Sequence, residues 1–291
     1  MTFYLTALSL ALATVFLAWG VYLSLRIFSL PDITTDGSFT LGACISIVLL
    51  AGGASWFVAL LAATLFGALA GIATGFIHTR LHIHPLLSGI LVMTALYSVN
   101  LLLMGRSNIP MDASWSQLFS SQLDSAAILQ RIVILGGLVV VMGLLLGFVL
   151  RSDWGIALRA TGQSEPMATS MGISVNRMKI AGLALANGLT GLSGALVVQL
   201  QGFADINMGI GMVIGGLGSV MIGEALVWLL PRPSVGVRLW LVVMGVVVFR
   251  ELMALTLAMG IDPVWMKLLN AAIVLMFVAL PLNRIRTLRK A

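Results

Sequence analysis

The chain has 291 residues, 60% of them hydrophobic and only 9% charged, with 16 basic and 10 acidic residues and a formal net charge of +6. A soluble domain carries roughly 25% charged residues, so a soluble enzyme, a disordered chain and a disulfide scaffold (Cys44 is the single cysteine) are excluded. Mean hydropathy is +1.10, and the apolar runs are continuous rather than alternating, which argues against an outer-membrane barrel and leaves an all-α polytopic membrane bundle, one transmembrane domain over residues 1–291.

A span needs about 20 apolar residues at ~1.5 Å rise each. That rule predicts about nine: Leu5–Arg26, Asp36–Gly53, Trp56–Ile77, Pro85–Met104, Ala127–Leu150, Arg177–Leu200, Gly209–Leu230, Val237–Met259 and Val264–Leu282. The first basic residue is Arg26, so the leading segment lacks the basic n-region of a signal peptide and is expected to be a retained span. Between the first two spans lies the polar stretch Leu-Pro-Asp-Ile-Thr-Thr-Asp-Gly-Ser, 30–38. The apolar run after it, Phe39–Gly53, covers only ~22 Å as helix, short of a ~30 Å core. The second helix must therefore begin inside the polar stretch, with Thr35 or Asp36 as N-cap. Broken helices with polar ends build polar sites in lipid, which makes Asp32, Thr34, Thr35, Asp36 and Ser38 candidate path residues. An ordinary capped loop is the competing reading.

Gly67, Gly71 and Gly75 form a small-residue stripe on the third span. Such stripes let helix backbones approach closely in lipid. His78, His82 and His84 follow. The first two stand four apart and could share a helix face as a metal pair, but no carboxylate or cysteine is near, and interfacial histidines beside Arg80 are expected instead, with no metal. The loop 105–125 is expected to be external. In it Ser114-Trp115-Ser116-Gln117 fits a capping box, and Trp115, Leu118 and Phe119 would share one helical face. That helix would rest on headgroups or serve as a platform for an external partner.

The loop 151–176 is expected to be cytoplasmic. Ser164 or Glu165 can cap a short helix with Pro166 in its first turn and Gly172 at its end. It reads as an amphipathic linker or as a knob that docks in a groove on a partner. The sixth span carries Asn187, Thr190 and a Gly188, Gly191, Gly194 stripe; the seventh carries Gly211, Gly215 and Ser219. At a constant offset of 173 residues, Asp32, Ile33, Gly42 and Ser46 meet Asp205, Ile206, Gly215 and Ser219. The two segments enter from opposite faces, as an inverted repeat would show, and Asp205 and Asn207 join the candidate path residues. Arg250 and Glu251, in the eighth span, are expected to snorkel at the outer interface.

With the C-terminus inside, only Arg106, Arg131, Arg250 and Lys267 of the 16 basic residues fall on the outer side, a clear positive-inside bias. Nine spans then put the N-terminus outside, and a re-entrant pair would reverse it. Orientation explains the positive charge without nucleic acid. No Walker A motif exists, because none of Lys179, Lys267 or Lys290 follows a glycine. No catalytic triad can be assembled, so the chain is expected not to be an enzyme.

Two segments carry a family resemblance. PDITTDGSFTLGA, 31–43, resembles the P-D-x-(S/T)-x-(D/E)-G-S-F-x-L-G-A segment of bacterial ABC-importer permeases. GIALRATGQSEPMATSMGI, 155–173, resembles their cytoplasmic loop, matching it at Gly155, Ala157, Leu158, Arg159, Ala160, Gly162, Ala168 and Gly172. The resemblance is to the branched-chain amino acid/ribose-type permeases, and most to the branch paired with lipoprotein binding proteins for aromatic amino acids and other, less defined solutes. The resemblance implies a permease subunit in the bacterial inner membrane, acting with a second permease copy, two cytoplasmic ATPases and an external solute-binding lipoprotein. The chain itself would hold no cofactor; ATP and Mg would sit on the ATPases. It further implies that Ser164, Glu165, Pro166, Met167, Ala168 and Met171 form the ATPase contact, that Arg159, Gly162 and Gly172 shape the loop, and that the binding protein docks near Trp115, Leu118 and Phe119. An ion-gradient-driven secondary transporter is the alternative, with only Asp32, Asp36, Glu224 and Glu251 to serve as a coupling site. The polar breaks argue against a merely structural subunit.

Overall fold

A computed structural model of the chain describes residues 2–112, 114–115, 118–119, 124–227 and 234–288, the side chains of 263 and 278–288 excepted. Helix α1, Thr2–Tyr22, runs on through a π turn, Leu23–Ile27. Then come α2 (Thr34–Ala51), α3 (Trp56–Arg80), α4 (Pro85–Met104), strand β1 (Asn108–Pro110), α5 (Ser125–Arg151), α6 (Asp153–Gln163) and α7 (Glu165–Ser170). The chain continues with α8 (Val175–Gln201), β2 (Phe203–Asp205), α9 (Met212–Val227), α10 (Val235–Ala258) and α11 (Met266–Leu288). Among the described residues, 7 helices are long and apolar enough to cross a membrane: α1 with its π turn, α2, α3, α4, α5, α8 and α10. The seventh and ninth expected spans fall on α9 and α11, whose far ends, residues 228–230 and the side chains from 278 on, lie outside the described residues. α9 has 16 described residues, ~24 Å of helix, and starts later than expected because Gly209–Gly211 is spent on turns. The apolar part of α11 within the described side chains is Met266–Phe277. The loop residue Arg232 and the terminal Arg289 and Lys290 lie outside the described residues.

Burial sorts the helices into a centre and a rim. The most apolar windows of α1, α2 and α8 are 78%, 83% and 78% buried, against 22% for α4 and α5. The centre is built by close backbone approach. A Cβ at Gly67 or Gly71 would overlap the carbonyl of Asn187 or Leu183, and one at Gly42 would overlap Gly191. The glycine stripes therefore seat α2 and α3 against α8. The rim keeps large apolar side chains exposed, among them Leu102, Phe148 and Leu275, as a lipid-facing surface does.

The packing repeats at the offset read from the sequence. Residues 2–27 shifted by 173 become 175–200, and α8 is Val175–Gln201. α2 packs on α3 and α4 as α9 packs on α10 and α11, and α3 lies on α8 as α10 lies on α1. Ser193 Oγ donates to the Ala13 carbonyl at 2.8 Å, while Gly20 sits against the Ala186 carbonyl; Ala186 and Ser193 are the counterparts of Ala13 and Gly20. Those contacts run α1 antiparallel to α8, which makes the repeat inverted. Asp36 touches its own counterpart, Gly209. Even the turns agree: the Thr34 N–H donates to Asp32 Oδ1 at 2.8 Å, and the Asn207 N–H to Asp205 Oδ1 at 2.8 Å.

One element was not expected. β1 pairs antiparallel with β2, Asn108 opposite Asp205, and ties the loop 105–125 to the end of α8. Where the helix was expected, the described residues Ser114, Trp115, Leu118 and Phe119 form turns and bends; Ser116 and Gln117 lie outside the described residues. The ribbon explains the difference, because it draws the segment inward over the end of α8. Phe119 is buried, the Leu118 N–H donates to Gln199 Oε1 at 3.1 Å, and Trp115 packs against the small apolar cluster that contains Ile109 and Ala204. Asp112 makes the local turn instead, accepting the Ser114 N–H at 2.9 Å, which holds its carboxyl below the usual carboxylate range.

Candidate functional site

The polar stretch before α2 folds into the bundle. Asp32 is buried, and its Oδ2 accepts Asn187 Nδ2 from α8 at 2.7 Å. Asn187 Oδ1 in turn accepts Ser38 Oγ at 2.7 Å. Thr34 Oγ1 lies 2.8 Å from Thr74 Oγ1 on α3, and Thr35 Oγ1 donates to the Asp32 carbonyl at 3.2 Å. A buried polar group without a partner costs ~1–3 kcal/mol, and here each finds one. Asp32, Thr34, Thr35, Ser38 and Asn187 thus form one connected, buried cluster that fastens α2, α3 and α8 together.

Asp36 departs from the expected role. α2 begins at Thr34, and Asp32 rather than Thr35 or Asp36 accepts its first N–H. The Asp36 carboxylate points across to α9, where Oδ2 and Oδ1 accept the N–H groups of Gly211 and Val213, each at 2.8 Å. Two free N–H groups at a helix start, together with the positive end of the helix dipole, suit a carboxylate. Asp36 therefore stands in the first turn of one broken helix and caps the other.

Asp205 and Asn207 lie elsewhere. They line a cavity of about 320 Å³ between α1, α2, the ribbon end of α8, the start of α9, and α10. Thr14, Phe39, Phe203, Met212 and Arg250 share its wall. Arg250 is half-buried, and its Nε donates to Thr14 Oγ1 at 3.4 Å. At the opposite end of the same helices, Arg26 and Glu224 pair at 3.3 Å between α1 and α9.

The loop 151–176 holds two helices, not one. α6 starts on Ser152, whose Oγ accepts the Gly155 N–H at 3.4 Å. The Ser152-Asp153 pair was a legible start signal. Gly162 lets α6 approach the Ile27 carbonyl, where a Cβ would overlap it, and Arg159 Nε donates within α6 to the Gly155 carbonyl at 3.4 Å. α7 is the expected short helix. Ser164 Oγ accepts the Met167 N–H at 3.4 Å, Pro166 stands in the first turn, and Gly172 follows at φ 80°. Ala168 is buried, while Met167 and Met171 are 57% and 65% exposed. Glu165 pairs with Lys179 on α8 at 2.7 Å.

The histidines do not share a helix face. α3 ends at Arg80, and His82 has φ 56°. His78 Nδ1 lies 2.8 Å from the Ile83 carbonyl and Nε2 lies 3.4 Å from Lys179 Nζ. His84 Nδ1 accepts the Leu86 N–H at the start of α4 at 3.3 Å. Among the described residues no three His, Cys, Asp or Glu side chains gather to hold a metal ion.

Residues 3–279 match the family described as "Branched-chain amino acid transport system / permease component". The chain is 36% identical over 263 residues, 90% of its length and 86% of the relative's, to the "Tyrosine transport system permease protein" of Clostridioides difficile (strain R20291). It is 31% identical over 270 residues, 92% and 94% of the two chains, to an uncharacterized protein of Rickettsia prowazekii (strain Madrid E). No solved structure matches. With a multi-pass bundle of apolar helices and a match across nearly its whole length, the chain is a membrane permease component of a transport system and belongs to the branched-chain amino acid transport permease family.

Proposed function

We propose that the chain is the membrane-spanning subunit of an ATP-driven importer and passes an amino acid or related small polar solute inward across the bacterial inner membrane. The observation that carries this reading is α7. It is a capped helix projecting two exposed methionines, braced on α8 by Glu165–Lys179 and, through α6, on the end of α1. Such a knob, rigid on the permease side, is what a groove on a cytoplasmic ATPase needs in order to push on the spans. Ser164, Glu165, Pro166, Met167, Ala168 and Met171 would form the contact; Arg159, Gly162 and Gly172 hold the shape. The end bearing α6 and α7 is then cytoplasmic, in line with the clustering of basic residues, and so is the C-terminus. The ribbon end faces outward, where a solute-binding lipoprotein would dock. Phe119 is buried, so docking at 105–125 would use exposed neighbours such as Arg106 and Asp112. A second permease copy completes the assembly, and ATP with Mg resides on the ATPases. The amino acid assignment follows the tyrosine system of the C. difficile relative.

Glu165→Arg combined with Met167→Asp tests the coupling. The variant should remain folded in detergent, fail to co-purify with its ATPase and lose ATP-dependent uptake. Unimpaired uptake would remove α7 from the mechanism. Uptake by this chain alone, driven by a proton gradient in liposomes, would replace the importer with a secondary transporter.

A further inference from the structure

We propose that the cavity at the ribbon end is a binding site for an α-amino acid zwitterion, with Arg250 receiving the carboxylate and Asp205 the ammonium. The proposal deepens the importer reading and rests on it for the premise that solute passes this end of the chain.

The inverted repeat shows why the cavity exists. Asp205 and Thr14 are the counterparts of Asp32 and Asn187. In one half the pair is closed, Asn187 Nδ2 donating to Asp32 Oδ2 at 2.7 Å. In the other half, among the described residues, no hydrogen bond joins Asp205 to Thr14, and both line a space of about 320 Å³. Arg250 lines that space as well, and its counterpart in the closed half is Ile77. The cation is therefore an addition to this half alone, not a requirement of the repeated packing. Cationic side chains within spans are costly and mark functional sites.

The polar capacity left over is of both signs. Arg250 uses Nε on Thr14, and among the described residues no carboxylate lies within 4.0 Å of it, so the fork of the guanidinium remains for a planar acceptor. Asp205 accepts the Asn207 N–H with Oδ1, while Oδ2 receives only a 3.3 Å contact from Asn108. Arg250 and Asp205 thus face one cavity without pairing. A monoanion would be repelled by Asp205 and a monocation by Arg250; a zwitterion satisfies both. Phe39, Phe203 and Met212 supply apolar wall for its side chain. The volume falls at the lower end of the ~300–1,000 Å³ of small-ligand sites.

The test uses the full chain in lipid nanodiscs and equilibrium dialysis of radiolabelled L-phenylalanine. Phenethylamine, which lacks the carboxylate, and 3-phenylpropionate, which lacks the ammonium, serve as competitors. L-Phenylalanine should bind about tenfold or more tightly than either, the value of one charge-assisted contact. Arg250→Gln should lower its affinity about tenfold and tighten phenethylamine, because the cation that repels the lone ammonium is gone. Asp205→Asn should do the same with 3-phenylpropionate in place of phenethylamine. Equal binding of the three compounds, no binding at millimolar concentration, or Arg250→Gln that binds L-phenylalanine as the native chain does, each overturns the site. Should Arg250→Gln fail to fold, the ranking on the native chain and on Asp205→Asn decides. ATP-dependent uptake by the assembled complex is measured in parallel: uptake without charge-selective binding removes the site and spares the importer, whereas absent uptake removes the importer reading itself.

Discussion

At the scale of single residues, Asp36 does most to hold the broken helices in register. Its two oxygens each accept an N–H from the start of α9 at 2.8 Å, although the residue belongs to α2. A hydrogen bond to a charged group contributes ~1.5–3 kcal/mol, and an ordinary N-cap ~1 kcal/mol. Asp36→Ala should therefore lower unfolding stability in detergent by about 2 kcal/mol or more, and Asp36→Asn, which keeps one acceptor, by less. A loss no larger than that of a simple cap would show that the two bonds do not join α2 to α9. Asn187→Leu makes a complementary case. It leaves Asp32 Oδ2 and Ser38 Oγ buried without partners, so it should cost more than the isosteric Thr190→Val, which removes only a hydroxyl that returns to its own helix at Ala186.

At the scale of elements, glycine position separates packing from propensity. Gly71 on α3 is pressed against the Leu183 backbone, whereas nothing lies within 4 Å of a Cβ at Gly136 on α5. Gly71→Val should push α3 off α8 and cost ~1–3 kcal/mol. Gly136→Ala should be neutral or stabilising by up to about 1 kcal/mol, because alanine is the better helix former. Thermal unfolding of the two variants side by side checks the pair, and equal losses would contradict the packing assignment. The stripe was legible in the sequence because small residues at helical spacing have one main use in lipid. So were the long spans, whose signal is length of apolar run, and α7, whose cap, proline and glycine are local. The true partner of Asp36 was not legible, because a carboxylate near a helix start looks like a cap for that helix, and α9 is about 175 residues away. The ribbon of three-residue strands has no periodicity to detect. Arg250 was visible, but only the fold brings it to the same cavity as Asp205.

At the scale of the whole molecule, the two halves share one plan and differ in state. The half around Asp32 and Asn187 is packed shut, while the half around Asp205 and Thr14 stands open at the ribbon end, above α1 and α9 helices that are joined at their far ends by Arg26–Glu224. That ion pair is partly exposed and contributes less than about 1 kcal/mol, so it biases the closed end without locking it. Halves of an inverted repeat can exchange conformations, because each sequence is built to adopt both. The closed cluster should then open toward the α6–α7 end in a state where the cavity at the ribbon end has shut. Single cysteines in a Cys44→Ala background follow this directly. With the ribbon end outward, as proposed, Asn207→Cys, exposed beside the cavity it lines, should react with an impermeant maleimide from outside in the state described here, and Ser38→Cys should be protected. In whichever nucleotide state of the assembled complex Ser38→Cys becomes reactive from the cytoplasmic side, Asn207→Cys should become protected. Reactivity of both positions rising and falling together would mean that the halves do not exchange, and that the difference between them is a fixed feature of the chain.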